Sequence, residues 1–452
     1  MYDAISIEER NTPTVTLVNV GFTNDAWSAK SGKGMPGARY VATSVPCESS
    51  IMEEVEAGIT DAFDDIITAL TGVLSDEEKS PKPREIEKPS RIAFKGSLEE
   101  VNRFFYKRGW TDGLPIIPPT EEAVSEMLTG TDLPPDHLVT KLIPRLGKAT
   151  VEKIAINAVM AGALPTYMPL LIAGVQILTD STSGFGGWGV STGSWAPFWV
   201  INGPIRKQLH LNSGSGVLSP GDIANAAIGR AMGLITKNIG GIRKGVEDMG
   251  VQGNPGKYSM VLAENEEESP WEPLHVEMGY NREDSTISVS SPNTYLQIWP
   301  YASDDEGILR GIIYNLIPKR GLYIILTPPH AKTLARSGWS KQDIKKFIAE
   351  YARFPAHRLP YYWGTSFPAY AGSRPGLHKD RIPFRESDSV SVFRDQNSIA
   401  VLVGGGPGAM IGLHMGGGFF PHRKMSEKVN FPANWDKLVA KYKNVVPTYV
   451  RY

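Results

Sequence analysis

Residues 14–20 (TVTLVNV) are a β-branched run between Pro13 and Gly21, which is the pattern of a short buried strand. Three further segments continue an alternation of helix and strand patterns: residues 22–30, 38–44 (ARYVATS) and 50–71. The order strand, helix, strand, helix is typical of a parallel α/β sheet. The sequence therefore predicts a small α/β unit, half of a Rossmann-like domain, over residues 1–74.

The helix over residues 50–71 has one long apolar face, formed by Ile51, Val55, Ile59, Phe63, Ile66, Ile67 and Leu70. Ser50 and Glu53 fit a capping box at its start. Two strands are too few for an independent sheet, and an apolar face of this length must pack on something. We therefore expect an oligomer, in which either a second copy or a different subunit supplies the missing half-domain.

The rest of the chain divides at a charged, proline-rich segment, residues 75–90 (SDEEKSPKPREIEKPS), which predicts a linker. A main α/β body with a Gly/Trp loop follows over residues 91–302, and a second α/β unit over residues 303–452. The predicted fold class is α/β, with a small incomplete parallel N-terminal unit and a larger mixed α/β body.

Composition excludes several classes of function. The 452 residues carry 47 Lys and Arg against 48 Asp and Glu, so no basic surface for nucleic acid is expected. The N-terminus does not fit a signal peptide, and the longest apolar stretch, residues 168–178, is too short to span a bilayer. The only cysteine, Cys47, excludes an internal disulfide and a cysteine-cage zinc site. We expect a cytoplasmic protein that binds neither membrane nor nucleic acid.

His275 and Glu277 lie in the segment PLHVE, just after Glu264, Glu266, Glu267 and Glu268. If this segment is extended, residues two apart face the same side and the two side chains converge. Such a pair suits a metal site or general acid–base chemistry. The alternative is a solvated acidic loop followed by an ordinary strand.

The glycine-rich region after residues 399–403 (IAVLV) holds a second group of candidates. Gly404, Gly406 and Ala409 fit G-x-G-x-x-A, but no clean helix follows, so we favour a ligand-facing or subunit-facing loop over a dinucleotide site. His414, in the same region, is a third metal candidate. The loop at residues 212–216, with Arg206 nearby, gives a weak signal for anion binding.

Asp112 lies in WTDGLP, a turn framed by proline. Such a rigid turn suits a positioned catalytic carboxylate, although Asp-Gly turns are also common without function. The Gly/Trp segment covers residues 181–197 (STSGFGGWGVSTGSWAP). Trp188, Trp195 and, just after it, Trp199 suit either a substrate pocket wall or a subunit interface.

Cys47 lies three residues before the predicted helix start at Ser50. The helix dipole favours its thiolate, whereas the neighbouring Glu48 opposes it. The thiol is therefore either a nucleophile or redox group, or an inert and partly buried side chain.

Several segments resemble the long form of the UGSC family of (seleno)proteins: WTDGLPIIPPTEEAV, ATVEKIAINAVMAGALP, INGPIR, VQGNPGKYSMVLAENEEE with SPWEPLHVE, and HAKTLARSGWSKQDI. They span residues 108–346, and NTPTVTLVNVGFTNDAWSA resembles the later half of the family's small redox-like domain. The resemblance implies thiol or selenol redox chemistry. The family's Sec/Cys-Gly-Ser-Cys motif is missing from this chain, so the redox pair would reside on another subunit or be lost.

The leading hypothesis is a subunit of an enzyme that cleaves or reduces a carbon–heteroatom bond in a small molecule. Asp112 and Glu264 would act as acid–base groups, His275 and Glu277 would bind a divalent metal or transfer protons, and Cys47 would be the thiol. One alternative is a metal-dependent hydrolase or lyase without a redox step. Another is a structural subunit whose partner carries the chemistry.

Overall fold

The computed structural model describes residues 1–46, 50–79, 90–300, 304–319, 321–356, 358, 388–393, 396–416 and 425–446. It is a mixed α/β structure with a parallel two-stranded sheet at the N-terminus, which confirms the predicted fold class. Among these residues, no helix combines the length and apolar character needed to cross a membrane.

The N-terminal unit contains two parallel strands and the helices around them: α1 (Tyr2–Glu8), β1 (Val15–Asn19), α2 (Thr23–Gly32), β2 (Arg39–Thr43), α3 (Met52–Asp61), α4 (Phe63–Thr71) and α5 (Asp76–Lys79). β1 and β2 pair in parallel, with Val15 opposite Arg39. The sequence predicts one helix over residues 50–71. The structure has two, α3 and α4, because the helix is interrupted at Ala62. The expected capping box is also displaced, since Glu54 rather than Glu53 accepts the N–H of Ile51.

Several apolar side chains at the start of α3 and along α4 are exposed to solvent. Ile51 is 63% exposed, Phe63 55%, Ile67 44% and Leu70 38%. α4 packs on both strands of the sheet, so it is the outer side of these helices that stays uncovered among the residues that the structure describes.

The body begins with elements α6 to β8: α6 (Leu98–Lys107), α7 (Glu121–Leu128), β3 (Leu138–Leu142), β4 (Gly147–Thr150), α8 (Val151–Met160), α9 (Met168–Thr179), α10 (Phe185–Trp188), β5 (Phe198–Asn202), α11 (Ile205–Gln208), α12 (Ile223–Asn238), β6 (Val261–Ala263), α13 (Leu274–Glu277), β7 (Thr286–Ser290) and β8 (Pro292–Ile298). The remaining elements are α14 (Asp305–Tyr314), β9 (Gly321–Leu326), α15 (Pro328–Arg336), α16 (Lys341–Tyr351), β10 (Arg353–Pro355), β11 (Ser389–Ser391), β12 (Ile399–Val403), β13 (Ile411–Gly416), β14 (Ser426–Lys428) and α17 (Trp435–Tyr442).

Two four-stranded sheets form the centre of the body, in the orders β14-β7-β5-β6 and β12-β9-β13-β8. In each sheet an edge strand runs parallel to its neighbour, and the next two pairings are antiparallel. The two sheets therefore share one pattern of strand directions. The sequence shows no fixed-period repeat from which this similarity could be predicted.

The strands alternate their side chains between two cores. Phe198 and Val200 face the second sheet, where Tyr323 and Ile325 meet them, whereas Trp199 and Ile201 belong to the core that contains α8, α9 and α12. The second sheet similarly packs its other face on α14, α15 and α16. The body is thus layered as helices, sheet, sheet, helices.

The two sheets exchange their last strands. β8 follows β7 with only Ser291 between them, yet it pairs with β13 in the second sheet. β14 comes after β13 in the chain, yet it pairs with β7 in the first sheet. Each of the two predicted body units therefore contributes a strand to the other's sheet.

Candidate functional site

A pocket of about 610 Å³ lies between α12, the Gly/Trp segment and the loop that contains Asp112. Its apolar wall includes Trp188, Trp195 and Trp199, as well as Phe185 and Tyr258. The indole N–H groups of Trp195 and Trp199 are buried and donate to no acceptor among the described residues. We call this cavity the tryptophan pocket; its size suits a small organic molecule.

Asp112 reaches this pocket from the turn that the sequence predicts. The N–H of Leu114 donates to Asp112 Oδ1 at 3.1 Å, and Gly113 has φ +97°, a conformation that favours glycine. Arg230 on α12 then grips both carboxylate oxygens, with Nε to Oδ2 at 2.8 Å and Nη2 to Oδ1 at 3.1 Å. The turn and the ion pair together fix a charged pair at the pocket wall.

Lys237 lies two helical turns after Arg230 on the same face of α12 and also lines the pocket. Its ammonium donates to the carbonyl oxygen of Gly109 and, at 2.8 Å, to that of Thr111. Burial lowers the pKa of Lys237, while the nearby Asp112 raises it. The net reduction favours a neutral amine more than in an exposed lysine, which suits proton transfer.

The opposite rim of the pocket carries Lys257 and Asp248, which pair at 2.6 Å, and the exposed Lys244. Including Arg230 and Lys237, four cationic and two anionic side chains line the pocket. The lining therefore has an excess of positive charge, which favours an anionic ligand.

The N-terminal unit docks next to this rim. Ser28 of α2 donates to Glu247 Oε1 at 2.5 Å, and Glu247 is 1% exposed. Burial raises the pKa of Glu247, but hydrogen bonds from Arg243 and Ser28 outweigh that effect and lower it. Glu247 lies in the chain between Lys244 and Asp248, which both line the pocket, so Ser28 of the N-terminal unit contacts a loop that borders the pocket.

The acid-rich segment forms a second charged region, which we call the glutamate network: Glu264, Glu266, Glu267, Glu277, Arg206, Lys341, Lys345, Asn202 and His275. Glu264 is fully buried and accepts from Asn202 Nδ2 at 2.6 Å and from the N–H of Leu274 at 2.8 Å. Lys341, 5% exposed, lies 3.5 Å from Glu264 Oε1 and 2.9 Å from Glu277 Oε2. Burial lowers the pKa of Lys341, but the two carboxylates outweigh it and raise it.

The expected strand at His275 is wrong, since α13 is helical over Leu274–Glu277. Residues two apart on a helix point in different directions. His275 Nδ1 accordingly lies 3.9 Å from Glu266 Oε1, whereas Glu277 accepts from Lys341 and, at 2.8 Å, from Lys345. The predicted pair joins one network but does not converge on one point.

Arg206 is not available as a free anion site. Its guanidinium donates to the Glu264 carbonyl at 2.6 Å and to both oxygens of Glu267, and it pairs with Glu266 at 2.9 Å. Burial raises the pKa of Glu267, but hydrogen bonds from Arg206 and Lys207 bring it to about 2. Arg206 instead neutralises the acidic segment that follows β6.

His414 lies away from the other two proposed metal ligands. It is 1% exposed between the two sheets, with ring centroids 4.4 Å from Phe198 and 4.5 Å from Tyr295. Burial lowers its pKa to about 3, so the ring is neutral at ordinary pH. No three His, Cys, Asp or Glu side chains within the described ranges are placed to hold a metal ion, so His275, Glu277 and His414 do not form a ligand set here.

The glycine candidates border a third region. Gly405, Gly406 and Pro407 line a cavity of about 850 Å³, together with Gly214 and Ser215 of the loop predicted as an anion site. We call this cavity the glycine-turn cavity. Gly404 is not among the lining residues. Its N–H donates to the carbonyl oxygen of Leu326 at 2.9 Å and so extends the pairing of β12 with β9. Cys47, its neighbour Glu48 and His422 lie outside the described residues.

Sequence reasoning missed Arg230 and Lys237, which make the tryptophan pocket cationic, and Lys341, which closes the glutamate network. A signal for the first two exists, since two cations seven residues apart share one face of an otherwise apolar helix. Lys341 follows the cap residue Ser340 and looks like an ordinary first-turn residue, so nothing in the sequence singles it out.

The fold and these regions define a mixed α/β protein with a cavity of about 610 Å³ lined by tryptophans and charged side chains. Residues 1–72 match the UGSC family, which confirms the resemblance over the N-terminal unit. The resemblance suggested for residues 108–346 lies outside that match and stays a prediction. No curated protein and no solved structure matches the chain.

Proposed function

We propose that this chain is the substrate-binding subunit of an enzyme that cleaves or reduces a carbon–heteroatom bond of a small anionic molecule. The substrate occupies the tryptophan pocket. The observation that carries this proposal is the composition of the wall, where three tryptophans and an excess of cations surround one cavity of about 610 Å³. An apolar wall with a few placed charges is the usual form of a small-molecule site.

The cations provide recognition of an acid group. Arg230 already pairs with Asp112 and Lys257 with Asp248, but Lys237 contacts only backbone carbonyls through the bonds it makes among the described residues. Lys237 and the exposed Lys244 are thus the two lining cations with no ion pair among the described residues, and Lys237 is the more buried of the two. A substrate carboxylate would gain a charge-assisted hydrogen bond there.

The same lysine supports the proposed chemistry. Breaking a bond between carbon and a heteroatom requires proton transfer to or from the reacting atoms, and general acid–base groups work best with a pKa near the operating pH. Burial shifts the pKa of Lys237 in that direction. We therefore assign Lys237 as the proton-transfer group, positioned by the Gly109 and Thr111 carbonyls, with Asp112, fixed by Arg230, as the nearby carboxylate.

The N-terminal unit supports a link to thiol redox chemistry. It is the part of the chain that matches the UGSC family, and it docks on the loop that forms the pocket rim. A reduction would draw its electrons from a thiol or selenol pair on a partner subunit. The exposed face of α3 and α4 is the place where such a subunit would bind.

That exposed face also favours the second candidate, a structural subunit whose partner carries the chemistry. A strand-poor sheet and apolar side chains up to 63% exposed are typical of an interface that is completed by another polypeptide. The two candidates differ in one respect: only the first requires a ligand in the tryptophan pocket. The alternative of a metal-dependent hydrolase or lyase has no cluster of three potential metal ligands to support it among the described residues.

Tryptophan fluorescence titration with a panel of small carboxylic acids tests the proposal. At least one acid should quench the emission at a sub-millimolar Kd, and Lys237→Met should weaken that binding by about tenfold, the equivalent of 1.4 kcal/mol. Lys346→Met, on the exposed side of α16, removes the same charge elsewhere and should leave the Kd unchanged. If both variants bind the acid as the wild type does, the pocket is not the site.

A further inference from the structure

The turns that follow β6 and β12 occupy corresponding positions in the two sheets. Val200 of β5 pairs with Leu262 of β6, and Ile325 of β9 pairs with Leu402 of β12. All four side chains lie in the core between the sheets. Counting forward from the paired leucines places residues 264–268 (ENEEE) and residues 404–408 (GGGPG) at equivalent strand ends.

The side chains decide whether each strand end is filled or open. After β6, the buried Glu264 and Arg206 fill the space with the glutamate network. After β12, glycines leave the glycine-turn cavity of about 850 Å³. In α/β proteins, ligands bind in the crevice outside the carboxyl ends of parallel strands, which is where this cavity lies.

The glycine turn brings the backbone close to the cavity wall. A Cβ on Gly406 would lie 2.0 Å from Ser215 Oγ, and Gly405 has φ +90°. The N–H of Gly405 donates to Ser213 at 3.0 Å, which fixes the opposing loop. The N–H groups of Gly406 and Gly408 donate to no acceptor within the described part of the chain. Of these two glycines only Gly406 lines the cavity, and its N–H is therefore the backbone donor left for an anion there, since Pro407 carries no N–H.

Two cations on α15 line the same cavity. Arg336 pairs with no carboxylate among the described residues; its guanidinium donates to the Lys332 carbonyl at 3.2 Å and to Thr333 Oγ1 at 3.3 Å. Lys332 pairs with Glu268 at 3.2 Å, but both side chains are about half exposed, so this bond is weak and exchangeable.

We propose that the glycine-turn cavity binds the phosphate group of a small molecule. The amide of Gly406 and the hydroxyl of Ser215 contact one end of the anion, while Lys332 and Arg336 neutralise its charge. The cavity volume exceeds that of phosphate, and Pro328 and Pro270 provide apolar surface for the remainder of a phosphate ester. This site is separate from the tryptophan pocket and does not depend on its ligand.

Isothermal titration calorimetry of the full chain tests the site, with inorganic phosphate and AMP as probes and sodium chloride at matched ionic strength as the reference. We expect at least one phosphate probe to bind with a Kd below 1 mM. Tighter binding of AMP assigns the site to a phosphate ester, and equal binding assigns it to free phosphate. No binding of either probe at 10 mM would overturn the proposal.

The double variant Lys332→Ala/Arg336→Ala should weaken binding at least tenfold. The matched control Arg310→Ala/Lys346→Ala removes two exposed cations from α14 and α16 and should bind as the wild type does. Circular dichroism establishes that both variants fold. If the two double variants lose affinity equally, the attraction is non-specific and the assigned site is wrong.

Discussion

The glutamate network and the tryptophan pocket are the two regions where charged side chains gather, and they use those charges in opposite ways. In the network, Glu264, Arg206 and Lys341 are almost fully buried and bond to one another. In the pocket, Arg230 and Lys237 are only partly buried and line an open cavity. Buried charges need one another, because removing one partner leaves the other charge buried and uncompensated, whereas charges that face a cavity can bind a ligand.

Because its charges are paired with one another, the acidic segment is better interpreted as structural than as catalytic. The sequence draws attention to His275 and Glu277 because carboxylates are dense around them. In the structure, Glu277 bonds to Lys341 and Lys345 of α16, so the segment connects the two sheet halves. The proposed chemistry is therefore assigned to the pocket, and the network is interpreted as a set of ion pairs that connects the two halves.

The largest expected effect is on stability, through Glu264. Glu264→Ala removes the fully buried partner of Lys341, one of the two acceptors of Asn202 Nδ2 and the acceptor of the Leu274 N–H, and Lys341 keeps only Glu277. Removing one member of a buried ion pair typically costs about 3–5 kcal/mol. Urea unfolding should show a loss of this size.

The exposed Glu268 provides the control for that measurement. Its side chain is 52% exposed and pairs with Lys332, so Glu268→Ala should cost less than about 1 kcal/mol. Equal losses for the two variants would show that the network is not a closed, buried unit.

Gly406 gives an intermediate effect at the glycine turn. A Cβ there would lie 2.0 Å from Ser215 Oγ and 2.9 Å from Ser215 Cβ, so Gly406→Ala should cost about 1–3 kcal/mol through overpacking. At Gly408 a Cβ meets nothing within 4 Å, and Gly408→Ala should be close to neutral. Thermal unfolding of the two variants separates these outcomes, and a neutral Gly406→Ala would contradict the close approach of the loops.

The smallest effect concerns Asp25, at the junction of the N-terminal unit with the pocket rim. Burial, reinforced by Glu247, raises the pKa of Asp25 to about 6. A carboxyl with a raised pKa binds its proton more tightly in the folded state, so stability falls as pH rises from about 4 to 6 and then stays at the lower level. Asp25→Asn should therefore raise Tm slightly at pH 7.5.

At pH 4 the same substitution should leave Tm nearly unchanged, because Asp25 is then largely protonated in the folded state. Differential scanning calorimetry at the two pH values gives the comparison. A Tm gain that is larger at pH 4 than at pH 7.5 would contradict a raised pKa of Asp25 in the folded state.

Much of the local structure follows from sequence patterns. The predicted strands over residues 14–20 and 38–44 contain β1 and β2, and the predicted order strand, helix, strand, helix is present in the N-terminal unit. The exchange of β8 and β14 does not follow, because it depends on pairings between strands far apart in the chain. The partnership of Asp112 with Arg230 was missed for the same reason, since local patterns carry no information on contacts across more than a hundred residues.

The comparison of pocket and network is tested most directly by measuring ligand affinity and unfolding free energy on the same two variants. The ligand is the carboxylic acid that quenches tryptophan fluorescence. Lys237→Met should lose about tenfold in affinity and less than about 1.5 kcal/mol in stability, since only hydrogen bonds to two backbone carbonyls are removed. Glu264→Gln should lose more than about 2 kcal/mol in stability and keep the wild-type Kd at a urea-free, fully folded condition. An affinity loss in Glu264→Gln that exceeds the loss in Lys237→Met would contradict the account and return the ligand site to the glutamate network.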